Sequence, residues 1–139
     1  MNAVRLPVGV VVVTHGQLAV ELVNAAEAIV GDMLHVQAVS IGWHDDVEHA
    51  RQEIGQAIAR VATPGGTMIL TDMFGGTPSN LAVTFLVPDR VEVVTGVNLP
   101  MLLKLATLRH ADNLREVARL VREHGQNAVW VASDLLLKK

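Results

Sequence analysis

Cysteine is absent from the 139 residues, which excludes disulfide frameworks, thiolate zinc sites and cysteine nucleophiles. Aromatics are scarce, with two Trp, two Phe and no Tyr, so the core has to be built from Val, Ala, Leu and Ile. Positive charge is not in excess: eleven Lys and Arg stand against fourteen Asp and Glu, a net charge of −3. A nucleic-acid binder normally carries a basic stripe, and this balance argues against that class. No apolar run approaches the roughly 20 residues of a membrane span. The Val8–Val13 run stops at Thr14-His15-Gly16 with no small-residue cleavage site, so neither membrane insertion nor a secretory signal is expected. What is present is a chain half apolar and 18% charged, able to bury a core and of a length that suits one domain over 1–139. The expectation is a soluble, cytoplasmic domain.

Short apolar runs alternate with longer helical stretches. Val8–Val13 reads as a strand covered on both faces. From Gln17 to Val30 the polar residues Gln17, Glu21, Asn24 and Glu27 recur at helical spacing, and Gly31 is placed to end the helix. His35–Ile41 alternates as a second strand. Asp45 or Asp46 caps the next helix, whose apolar face runs through Val47, Ala50, Ile54, Ala57, Ile58 and Val61. A Pro64-Gly65-Gly66 turn precedes a third strand, Thr67–Thr71. Thr77 as cap and Pro78 at the first position start a short helix that ends near Val87-Pro88. Arg90–Thr95 is a fourth strand, Asn98 caps a helix to about Leu108, and Asp112 opens a last helix closed by Gly125. Ala128–Ala132 (A-V-W-V-A) reads as a fifth strand. The alternation predicts an α/β fold: an open, doubly wound sheet with helices on both faces and the first four strands parallel. The direction of the fifth strand is not fixed by the pattern.

Ligands in such folds bind beyond the C-terminal ends of the strands, where strand order reverses. In the order 2-1-3-4, strands 1 and 3 flank that point, and His15 and Asp72 at their ends face each other. A carboxylate beside an imidazole accepts Nδ1–H and leaves the Nε2 lone pair free as a nucleophile. Directly after Asp72, Gly75 and Gly76 form a turn whose N–H groups can point inward. The helix start adds its positive end, and Thr77 and Ser79 add hydroxyls, which together make a cradle suited to phosphate.

The other histidines carry less. His35 begins a strand, His49 and His124 lie on solvated helix faces, and His110 ends a helix where a cation is favoured. His44 and Trp43 sit near the expected rim. The acids of His44-Asp45-Asp46-Glu48-His49 suit a helix N-terminus better than a metal site, and no metal or cofactor is expected. Neither G-x-x-x-x-G-K-[ST], G-x-G-x-x-G after strand 1, nor G-x-S-x-G occurs, which argues against nucleotide kinases, dinucleotide folds and a serine hydrolase built on Ser79. On the residues alone, a domain in which His15 and Asp72 simply hydrogen-bond a small-molecule ligand stays open beside a phosphate-handling site.

V-V-V-V-T-H-G at the end of strand 1 and T-D-M-F-G-G-T-P-S-N at the end of strand 3 resemble the enzyme IIA domain of the mannose-type sugar phosphotransferase system, over Val8 to about Gly125. The resemblance implies that His15 accepts a phosphoryl group from the histidine phosphocarrier protein and passes it to a IIB component. It implies that Asp72 orients His15 and that Thr77 is the phosphate-loop hydroxyl. It also implies an antiparallel fifth strand, Ala128–Ala132, shared across a homodimer. No IIB domain follows within this sequence, so a regulatory IIA-like protein, whose phosphorylation state controls a partner without sugar transport, stands as the alternative role. A histidine relay needs no metal or nucleotide, because a phosphoimidazole nitrogen is itself a good leaving group and only alignment and charge stabilisation are required.

Overall fold

The computed structural model describes residues 3–110 and 113–137. Four strands form one parallel sheet, β1 (Val4–His15), β2 (Met33–Ile41), β3 (Thr67–Thr71) and β4 (Val91–Thr95), in the order β2-β1-β3-β4. The order and the parallel direction match the expectation from the sequence. The run of valines in β1 explains its central place: Val10 and Val12 belong to one core with Met68, Leu70 and Val94, while Val11 and Val13 belong to the other with Ile69, Val39 and Ile41. A strand buried on both faces is nearly continuous in apolar residues, and only a central position uses that.

Helices α1 (Leu18–Val30), α4 (Leu99–Thr107) and α5 (Leu114–Asn127) cover the first core. Helices α2 (Val47–Val61) and α3 (Thr77–Ala82) cover the second, through Ala50, Ile54, Ala57, Val61, Leu81 and Ala82. The starts of α2 and α4 are fixed by side chains with free oxygens. Asp46 accepts from the Glu48 N–H at 3.3 Å and Asn98 from the Met101 N–H at 3.1 Å, which satisfies donors the first turn leaves unpaired. Among the described residues no helix is long and apolar enough to cross a membrane.

Four details differ from the sequence-based expectation. Gly76, not Thr77, caps α3; its carbonyl accepts the Asn80 N–H at 3.0 Å and Thr77 is already helical. Asp112 lies outside the described residues, and Asn113 caps α5, accepting the Glu116 N–H at 2.8 Å. Gly125 does not close α5, which runs on to Asn127. It is instead a close-approach residue: a Cβ there would lie 2.8 Å from Met101 Sδ, so its lack of a side chain lets α5 pass against α4. Finally, no fifth strand forms at Ala128–Ala132 among the described residues. The chain turns as the Ala128 N–H bonds back to the Gly125 carbonyl, Val129, Trp130 and Val131 are exposed, and a single-turn helix α6 (Ala132–Leu136) follows. β-type residues make a strand only where an edge pairs with them, and no strand pairs with this segment among the described residues.

Gly9 offers a test of the packing. A Cβ at Gly9 would fall 2.8 Å from Val61 Cγ2 and closer still to the Val61 carbonyl oxygen, at the C-terminal end of α2. Gly9→Ala is expected to destabilise the fold by roughly 1–3 kcal/mol through forced displacement of α2, read as a lower urea midpoint at unchanged slope. An unaltered midpoint would contradict so close an approach.

Candidate functional site

Strand β1 has β2 on one side and β3 on the other, so its C-terminal end lies at the reversal of strand order. Val13 pairs with Thr71, which sets His15 and Asp72 side by side just past that pair. One carboxylate oxygen of Asp72, Oδ2, accepts twice from His15: from its backbone N–H at 3.1 Å and from Nδ1 at 2.8 Å. A carboxylate can only accept, so the proton of the neutral ring sits on Nδ1 and Nε2 keeps its lone pair. The His15 side chain is 37% exposed and that of Asp72 13%, so the carboxylate lies beneath and the imidazole meets solvent. The other Asp72 oxygen, Oδ1, is buried with no hydrogen-bond partner among the described residues.

The loop after Asp72 closes over the ring edge. Gly75 and Gly76 have φ of +91° and +87°, a region that residues with a Cβ rarely adopt. A Cβ on Gly76 would also come within 3.1 Å of both Cε1 and Nε2 of His15. This glycine therefore answers a backbone need and a spatial one. Of the expected cradle members, Gly76 and Thr77 are exposed beside the ring, while Ser79 is buried and its Oγ accepts the Gly75 N–H at 2.8 Å. That bond holds the loop in shape and takes the Gly75 N–H out of the exposed set. The N–H groups of Gly76, Thr77 and Ser79 precede the first intrahelical bond, and Pro78 has none to offer. Among the described residues no Lys or Arg bonds to His15, Asp72 or this loop.

One exposed apolar side chain stands beside the histidine and two more are on the loop after Asp72. Trp43 is 92% exposed, with its ring centroid 6.3 Å from that of His15 at a tilt of 39°. The turn that carries it is held by the Gly42 N–H donating to Asp45 at 2.6 Å. Met73 and Phe74, in the loop between Asp72 and Gly75, are exposed as well. Sequence reasoning places Trp43 at the rim but does not single out Met73 and Phe74. Their signal is nonetheless present: in a chain with only two Phe and two Trp, one stands inside a glycine-rich turn where no core is near. His44 is exposed next to Trp43 in the chain, with no hydrogen bond to His15 or Asp72 among the described residues, and His49 pairs with Glu53 at 2.8 Å on the solvated face of α2.

A family model described as "PTS system fructose IIA component" matches residues 9–122. The chain belongs to this family. It is a mannose-family IIA component of the sugar phosphotransferase system, and such components are phosphotransferases. The fructose-specific EIIA component of Bacillus subtilis (strain 168) is 28% identical over 132 residues, 94% of this chain and 90% of that protein. The mannose-specific EIIAB component of Escherichia coli (strain K12) is 29% identical over 126 residues, 89% of this chain but 39% of that longer protein. The solved mannose/sorbose-specific IIA subunit from Enterococcus faecalis superposes with a TM-score of 0.81 at 26% identity, covering 91% of this chain and 95% of that one.

The double acceptance at Asp72 has a direct spectroscopic consequence. In nitrogen-15 spectra of the neutral His15 ring, Nδ1 is expected to carry the proton almost alone. In Asp72→Asn the two tautomers are expected to mix, because an amide can present either a donor or an acceptor. A single Nδ1–H tautomer in both proteins would mean that Asp72 does not set it.

Proposed function

We propose that His15 is the phosphoryl carrier of this IIA component, taking the group on Nε2 from the histidine phosphocarrier protein and giving it to a IIB component. The observation that carries the reading is the pairing of an exposed His15 ring with a largely buried Asp72 carboxylate at Nδ1. The Nε2 lone pair attacks the phosphorus of the donor phosphohistidine as the donor's N–P bond breaks, and that bond pair returns to the donor imidazole. The new N–P bond to Nε2 leaves His15 with Nδ1–H and a ring that gains positive character, which Asp72 offsets at 2.8 Å through a charge-assisted hydrogen bond. The second transfer repeats the exchange with His15 as leaving group.

The exposed N–H groups of Gly76 and Thr77 in the loop over Nε2 supply donors to the phosphoryl oxygens without reorganisation. Thr77 adds its hydroxyl. Gly75 and Ser79 support the cradle through their mutual hydrogen bond. With no cation among the described residues bonded to the loop, the remaining charge compensation falls to the partner proteins. Trp43, Met73 and Phe74 give those partners an apolar surface around the reacting nitrogen, as a short-lived protein–protein docking requires. The working compartment in this reading is the cytoplasm, and residues 1–139 act as a single IIA domain.

The reading extends to a homodimer in which 128–132 pairs with a second copy. Strand β4 is a sheet edge, and Val129, Trp130 and Val131 are 75%, 62% and 64% exposed. A groove of about 640 Å³ runs beside β4, between Val93 and Arg122, and Val129 already reaches into it. In this reading 128–132 straightens from the turn it makes in the single chain and pairs with the β4 edge of a second copy, so that each satisfies the other's backbone groups. Trp130→Asp is expected to shift the sedimentation of the protein from dimer to monomer. A wild-type chain that sediments as a monomer at high concentration would remove this part of the proposal.

The relay itself is tested by incubating the protein with phosphoenolpyruvate, enzyme I and the histidine phosphocarrier protein, then weighing the intact chain. The expected outcome is one acid-labile phosphoryl group, absent from His15→Ala while that variant keeps its unfolding midpoint. Labelling retained in His15→Ala would overturn the assignment.

A further inference from the structure

A second concave site lies at the other end of β1 from His15, and its chemistry is that of an anion receptor. It is a pocket of about 960 Å³ whose wall carries Arg5, His35, Arg109 and His110 and, among the described residues, no Asp or Glu. The whole chain has a net charge of −3, so this clustering runs against its average composition. Among the described residues none of the four makes an ion pair. Arg5 and Arg109 are fixed positive charges in this wall, exposed and without a carboxylate partner among the described residues, and unpaired guanidinium groups at one concavity favour an anion.

The backbone is arranged to bring these groups together. Arg5 pairs with Leu34, and the next pair is Val10 with Val36, so β1 advances five residues while β2 advances two. At this bulge His35 has φ of +65°, one of two residues other than glycine with positive φ among those described. A residue with a Cβ held in that region is a cost that the surrounding structure must maintain, and such outliers gather at binding sites. The extra residues of the bulge are on β1; opposite them the positive φ of His35 breaks the extended run of β2, and the residue stands in the pocket wall. From the other side, α4 stops at Thr107 and the following segment delivers Arg109 and His110.

We infer that this pocket binds a phosphorylated small organic molecule. Guanidinium groups present paired donors that match the oxygens of a phosphate monoester. The volume is far larger than a bare phosphate needs and lies in the range of small-molecule sites. Ala62 and Pro64 line the same pocket and offer apolar contact to a carbon skeleton. The site is separate from His15 and stands whether or not His15 carries phosphate.

The test is a titration of the full nitrogen-15-labelled chain with glucose 6-phosphate and fructose 1,6-bisphosphate, with glucose and inorganic phosphate as controls. Saturable amide shifts are expected at Arg5, His35, Ala62 to Gly65 and Arg109 at millimolar ligand or below, unchanged in His15→Ala and absent with glucose. The double substitution Arg5→Gln and Arg109→Gln is expected to weaken binding by about tenfold or more, with the remaining spectrum unchanged as the sign that the fold is kept. Shifts confined to Gly75 to Ser79 would assign the phosphate ester to the His15 loop and overturn the inference. So would pocket shifts that survive the double substitution, equal affinity for inorganic phosphate alone, or no shifts at all.

Discussion

The Oδ2 atom of Asp72 accepts both the backbone N–H and the ring Nδ1–H of His15, and much else in the molecule serves to bring that about. Two strands distant in sequence must lie side by side, in parallel and in a register that ends them at one level. The valine run of β1 supplies this, since a strand buried on both faces has to sit inside the sheet with β3 beside it. The backbone bond fixes where the strand ends and the ring bond fixes which nitrogen remains free. A carboxylate that is largely covered while the imidazole stays at the surface allows a protein partner to reach Nε2 without reaching Asp72.

Two glycines complete the arrangement for different reasons. Gly75 takes a positive φ that the turn requires, and its N–H is spent on Ser79. Gly76 takes a positive φ and also stands where any side chain would press on Nε2. The loop is thus shaped by internal bonds and opened by an absent side chain. Its donors are backbone N–H groups, which cannot swing away and bring no charge of their own, and the Thr77 hydroxyl. That suits a group that must be held loosely enough to leave for a second acceptor.

The alternation of strands and helices and the helix faces are legible in the sequence because they follow from periodicity, and the meeting of His15 with Asp72 follows from the rule for strand ends once the order 2-1-3-4 is taken. The cap at α3 is not, because Thr77-Pro78 looks like a cap and first position, whereas the positive φ of Gly76 becomes visible only in three dimensions. Gly125 misleads for a related reason: a glycine late in a helix suggests a stop, and only the passage of Met101 beside it reveals a packing role. Ala128–Ala132 has the composition of a strand, but pairing is a property of two segments, and composition does not supply the second. Met73 and Phe74 escape notice because apolar residues in a loop have no periodic signature. The bulge at His35 is hidden because register is a relation between strands.

The proposed relay turns on one nitrogen. Its most direct measurement is phosphorus–nitrogen correlation by NMR on protein phosphorylated from the phosphocarrier protein and labelled with nitrogen-15 in its histidines. Coupling of the phosphorus to Nε2 of His15, with Nδ1 still protonated, is the expected result. Coupling to Nδ1, or to a histidine other than His15, would contradict the orienting role of Asp72 and the cradling role of the loop that follows it.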